Sequence, residues 1–274
     1  MSAATTTLFL TTSSGGIICL SLLLWRSFQP LSFENALGTF PDPSAVDLLL
    51  IFSKSCLVSC SWFFAYLSLK HLPLSLVAPI RGSGPLWTLF IAWFAFSESP
   101  NLHQLLAFFL TLLSYLWFTF LSHKGGFKIS RNPWVLCIIL GTCLGSLSAI
   151  YDKWLIQIRG LDPVSIQLHF SVGMMIFQGG ALLFIQIYKK EKSTFQWRWS
   201  IPFVGVALLF ADALYFHALS DPEALVSLVS AIRRGSLLVS FFLSWWILKE
   251  VHAKGKTLPV IGVLTGLIWL GLSG

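Results

Sequence analysis

Charge is scarce in this sequence. Only 11% of its 274 residues are Asp, Glu, Lys or Arg, while 55% are hydrophobic and the mean hydropathy is +0.78. That balance excludes an ordinary water-soluble domain. Methionine is rare too, with three residues against 24 Phe and 12 Trp, so the apolar segments carry many aromatic rings, which suit acyl chains and the headgroup level. The five cysteines (Cys19, Cys56, Cys60, Cys137 and Cys143) show no CxxC spacing and lie in apolar stretches, which reads as packing rather than as disulfides or metal ligands. No HExxH, P-loop, GxSxG or Asp-rich cluster occurs, so no catalytic residue, metal ligand or cofactor is assigned. The N-terminal MSAATTTLFLTTSSGG lacks the basic n-region of a cleaved secretory signal, so the first apolar stretch is expected to stay as a helix.

What is present is a series of apolar segments, each about the 20 residues that a bilayer core requires. They fall at 5–25, 46–69, 74–97, 102–122, 134–155, 163–187, 200–219, 224–247 and 257–273. The breaks contain helix-stopping proline: HLPLS at 71–75, SESPN at 97–101, GLDP at 160–163 and SDPEA at 220–224. The expected fold class is an all-α integral membrane protein with nine transmembrane helices, and the lipid bilayer is its first partner.

The net charge of +7 does not indicate nucleic acid, because the 18 Lys and Arg residues form no basic stripe with interleaved aromatics. Most of them lie between the segments. On the N-terminal side of the membrane the loops hold Lys70, Lys124, Lys128, Arg131, Lys189, Lys190, Lys192, Arg198, Lys249, Lys254 and Lys256, against Arg26, Lys153 and Arg159 on the other. The N-terminal side is therefore expected to be cytoplasmic.

The chain also repeats itself. FAYLSLKHLPLSLVAPIRGSGPLWTLFIAWFAFSE (64–98) aligns without a gap on FHALSDPEALVSLVSAIRRGSLLVSFFLSWWILKE (216–250), 152 residues on. Leu67/Leu219, Ser68/Ser220, Ile80/Ile232, Arg81/Arg233, Trp93/Trp245 and Glu98/Glu250 coincide. A duplication places the two halves at 1–122 and 134–274, and internal repeats of this kind are a habit of transporters.

PLWTLFIAWFAFSE (85–98) and its counterpart LLVSFFLSWWILKE (237–250) are similar to the segment closing the fourth helix of each half in the drug/metabolite transporter superfamily, EamA type. The resemblance covers roughly 46–274. It implies two inverted five-helix repeats around a central cavity, ten helices as the family norm, and carriage of a small-molecule metabolite in a bacterial inner membrane. The first half here supplies four segments, one fewer than the norm. The second copy lacks an equivalent of Pro85, and Ser97 and Lys249 stand where a glycine often precedes the glutamate.

Ionisable groups inside a span are costly and usually face a protein interior or a wet cavity. Four basic residues qualify: Lys54, Arg81, Arg233 and Arg234. Had the helix of 224–247 begun after Arg234, only Gly235 to Leu248 would remain, about 21 Å at 1.5 Å per residue and too short for a core of about 30 Å. Neighbouring residues on a helix diverge by about 100°, so both arginines cannot face one ligand equally, and the match to Arg81 favours Arg233. Lys54 and Arg81 also admit an interfacial reading by snorkelling or by an early helix end. The role implied by the resemblance is to neutralise an anionic or zwitterionic substrate. Asp212, deep in 200–219, either carries a coupling proton or pairs with Arg233 or Lys54. His169 and Gln178 are candidate hydrogen-bonding ligands, or satisfied polar residues. Asp152 and Lys153 read as interfacial, Glu98 and Glu250 as boundary and capping residues, and Gly141, Gly145, Ser146 and Ala149 as a close-packing face.

Overall fold

The structure is a computed structural model, and it describes residues 2–37, 40–72, 74–121, 133–189, 197–236, 238–239 and 257–273. The described residues form helices joined by turns, with no strand among them. In chain order these are α1 (Ser2–Phe28), α2 (Pro30–Leu37), α3 (Ala45–His71), α4 (Leu74–Gly82), α5 (Gly84–Phe96), α6 (Leu102–Leu121), α7 (Pro133–Lys153), α8 (Pro163–Lys189), α9 (Ser200–Leu219), α10 (Val226–Ile232) and α11 (Thr257–Leu272). Among the described residues, six helical stretches are long and apolar enough to cross a membrane: Thr6–Phe28, Ala45–His71, Leu102–Leu121, Pro133–Ile158, Pro163–Phe184 and Ser200–Leu219. The shorter α11 is also apolar. The protein is thus an all-helical, multi-pass membrane protein. The end of the expected span 224–247, from residue 240 on, lies outside the described residues.

Helix starts follow from the turn residues. Ser44 and Asp47 form a reciprocal cap at α3, with Asp47 N–H donating to Ser44 Oγ at 3.2 Å and Ser44 N–H to Asp47 Oδ2 at 3.1 Å. Asn101 and Gln104 repeat the device at α6, at 2.8 and 2.9 Å. At α8, Asp162 Oδ1 accepts from the N–H groups of Val164 and Ser165, both at 2.9 Å, with Pro163 filling the first helical position. Each cap leaves fewer backbone donors exposed to an apolar surrounding.

Several hydroxyls within the spans bond back into their own helices. Ser55 donates to Ile51 O, Thr111 to Ala107 O and Thr142 to Ile138 O, at 2.7 to 3.0 Å. Such back-bonding to residue i−4 lets a polar side chain sit inside an apolar helix.

The chain divides into two compact units, each drawing on both halves of the sequence. The first comprises Met1–Tyr66 and Tyr151–Pro222. Within it α1 lies along α8 and α9, and Thr12 Oγ1 donates to Gln178 Oε1 at 2.7 Å. At the end of α1, Trp25, Phe33 and Phe40 stack edge to face, and Arg26 holds Phe40 O at 2.7 Å and Asp42 at 2.9 Å. The second unit comprises Leu67–Ile150 and Glu223–Gly274. Here α6 packs against α11 around Ala107, Phe108, Leu112, Ala231 and Leu270. Gly262 and Gly266 make that approach possible, because a Cβ on either would collide with Ser114 or Thr111. The repeats 1–122 and 134–274 are sequence units, and they do not coincide with these packing units.

One expected span differs from its reading as a continuous helix. The stretch 74–97 is broken at Ser83 into α4 and α5, Ser83 Oγ donating back to Ile80 O at 2.7 Å. At the repeat-equivalent place α10 ends at Ile232 and a 3-10 turn covers Arg233–Gly235. Val226 starts α10 as Leu74 starts α4, again 152 residues apart. The first break falls in GSGP (82–85), with Pro85 in the first turn of α5, whereas the second copy has no proline and its tightened turn leaves no mark in the apolar pattern.

Candidate functional site

The charged residues picked from the sequence fall into two clusters, one inside each unit.

In the second unit the arginines stand at the two helix breaks. Arg81 is in the last turn of α4, half-buried, with Nη1 3.5 Å from Gly141 O on α7. Arg233 and Arg234 open the 3-10 turn after α10. They diverge as adjacent helical residues must: Arg233 is exposed, while Arg234 is drawn in among protein groups. The Tyr115 side chain lies against the Arg234 guanidinium. Arg234 Nη2, Ser146 Oγ and Thr142 Cγ2 surround Gly84, 3.7 to 3.8 Å from where a Cβ would stand. Ser146 Oγ also donates to Gly84 O at 3.0 Å. Arg234 Nε is buried and makes no hydrogen bond among the described residues.

Tyr115, on α6, was not singled out by the sequence, yet it touches both breaks. Its ring rests where Gly82 would carry a Cβ, and its phenol end meets Arg234. Any larger residue at 82 would push the ring aside. The expected small-residue face of α7 takes part as well, Gly141 accepting from Arg81 and Ser146 bonding to Gly84.

In the first unit, Lys54 on α3 is buried, with its Nζ 3.2 Å from Asp152 Oδ1. The same ammonium sits 3.2 Å from the Phe170 ring centroid and 4.5 Å from that of Phe216. This is a sealed ion pair with cation–π contacts to two rings. Lys54 does not snorkel to an interface. Asp152 and Lys153 correct the interfacial reading, since both are buried, at 5% and 8% exposure. The reason is local: beyond Lys153 the helix continues as a π-helical turn, Trp154–Ile158, so the acid lies inside the Pro133–Ile158 span. The apolar run WLIQI was the signal that the span extends past 155.

The remaining candidates also sit in this unit. His169 Nδ1 is 2.8 Å from Ser165 O, one turn back in α8. Gln178 is buried and accepts from Thr12, while its Nε2 makes no hydrogen bond among the described residues. Asp212 is half-buried on α9.

Glu98 is the second residue whose surroundings the sequence hid. It is 4% exposed, and its carboxylate accepts from Val226 N–H at 3.0 Å and from Ser227 Oγ at 2.8 Å. It is a capping residue, as its position implied, but of α10, far along the chain. Glu250 lies outside the described residues.

Residues 2–120 match the model of the EamA-like transporter family, part of the drug/metabolite transporter superfamily. The match begins well before residue 46 and so takes in α1. A solved structure described only as the crystal structure of a protein superposes with a TM-score of 0.71, over 98% of this chain and 88% of that one, at 14% identity, which shows a shared fold. No curated protein matches the sequence.

Proposed function

With residues 2–120 placed in the EamA-like transporter family, we propose that the protein is a secondary transporter of a small anionic or zwitterionic metabolite, working by alternating access in a bacterial inner membrane. One observation carries the substrate charge: both copies of the repeat interrupt their α-helix beside an arginine, at Arg81 and at Arg233, and a third guanidinium, Arg234, has a buried donor that makes no hydrogen bond among the described residues. Broken helices expose backbone groups where a polar ligand can be held within a membrane. A planar guanidinium fork grips carboxylate or phosphate in two-point fashion.

The Lys54–Asp152 pair is read differently. Its charges already compensate each other under a lid of two phenylalanines, so it serves to hold its unit together, while the arginines receive the substrate. His169 and Gln178 stay secondary candidates for ligand hydrogen bonds, and Asp212 for a coupling proton.

The test is a thermal-stabilisation screen of the purified protein with carboxylates, phosphates and zwitterions, followed by counterflow of the hit in vesicles. A substrate is expected to stabilise the wild type and not Arg233→Ala or Arg81→Ala. Equal stabilisation of all three proteins, or no saturable counterflow, removes the reading.

A further inference from the structure

We propose that Glu98 is a positioning residue for the Arg233–Arg234 pair, acting through α10. The proposal rests on the reading of those arginines as the substrate's anion site.

Glu98 follows Ser97, whose φ of 54° ends α5 in the left-handed region and turns the chain. That turn delivers the carboxylate to the first two residues of a helix 128 residues later in the chain. Oε1 takes the N–H of Val226 and Oε2 the hydroxyl of Ser227. The residue that precedes α10, Leu225, supplies no side-chain cap, so Glu98 does what a local Ser or Asp would ordinarily do. A carboxylate also complements the positive end of the peptide dipoles.

The helix so capped is only seven residues, about 10 Å. A helix of that length gains little from its own cooperativity, and its setting is imposed by what grips it. Besides its packing along α5, three points hold it: Glu98 at the start, Ala231 in the core beside Phe108 and Leu112, and Tyr115 against Arg234 at the end. Val226, Ser227 and Ala231 are all buried, so loss of the Glu98 grip should shift the rod without unfolding it. Any shift is transmitted to Arg233, the next residue after α10.

Arginine reactivity tests this without knowledge of the substrate. The full-length protein in vesicles is treated with phenylglyoxal, which condenses with guanidinium groups, and modification of Arg233 and Arg234 is followed by peptide mass spectrometry. In the wild type the exposed Arg233 should react faster than Arg234. In Glu98→Ala the contrast should shrink, Arg234 rising about fivefold, the factor given by loss of a helix cap of ordinary strength. Glu98→Gln, which keeps one carbonyl acceptor, should fall between. If Glu98→Ala does not stay monodisperse, Ser227→Ala removes one of the two bonds and should give a smaller rise. An unchanged Arg233 to Arg234 ratio in a folded variant overturns the proposal. Inorganic phosphate and acetate serve as probes in parallel, and both are expected to slow modification of the wild type. If the ratio changes with Glu98 while neither anion slows modification of any protein, positioning stands and the anion-site reading fails.

Discussion

The ammonium of Lys54 and the carboxylate of Asp152 lie 3.2 Å apart, beneath Phe170 and almost sealed, with side-chain exposures of 2% and 7%. Two elements far apart in sequence, the middle of α3 and the last turn of α7, are thereby tied within one unit. Removing one partner leaves the other charge buried, which costs about 3–5 kcal/mol, whereas replacing both with apolar groups of similar volume is often neutral. Lys54→Met and Asp152→Asn are therefore expected to lower the unfolding temperature in detergent sharply, and Lys54→Met/Asp152→Leu to recover most of the loss. A double variant no better than the singles would show that the pair is not the source of the effect.

Tyr115→Phe keeps the ring that fills the space beside Gly82 and removes only the phenol oxygen at Arg234. The variant should fold with near wild-type thermal stability and show faster phenylglyoxal modification of Arg234. Gly82→Leu should do the reverse and damage stability first, because its side chain competes with the ring for one volume.

Gly266→Leu should cost about 1–3 kcal/mol by overpacking, since a Cβ there runs into Thr111 across the α6 and α11 contact. The nearby Leu264→Ala, on a 42% exposed position, should cost much less. Thermal melts of the two side by side measure the difference.

Topology can be read from single cysteines placed in a cysteine-free background. If the charge asymmetry of the loops sets the orientation, a cysteine at Ser44 or Asp221 should react with a membrane-impermeant maleimide applied to intact cells, and one at Lys70 should not. Labelling of Lys70→Cys from outside would invert the assignment.

The helices were legible because hydrophobic length and proline punctuation are local properties, as the caps at Asn101 and Asp162 show. The alignment of 64–98 on 216–250 is likewise a local reading, residue by residue at a fixed spacing. What escaped was set by contacts distant in sequence. Nothing near Asp152 announces that Lys54 will meet it, and nothing near Glu98 announces Val226. The arginines were picked as candidates by their cost in hydrocarbon, with Arg233 favoured through the repeat, whereas the structure draws Arg234 inward beside Tyr115 and leaves Arg233 exposed. Periodicity cannot say which of two adjacent residues a tightened turn will draw inward.

The interleaved make-up of the units has a consequence for biosynthesis. Lys54 emerges from the ribosome 98 residues ahead of Asp152, an interval of about 5–20 s at about 5–20 residues per second. Through that interval a nascent ammonium has no carboxylate from Asp152, and hydrocarbon is a hostile place for it to wait. Translocon or chaperone shelter for the early helices, until the later ones arrive, follows from the order in which the two charges are made.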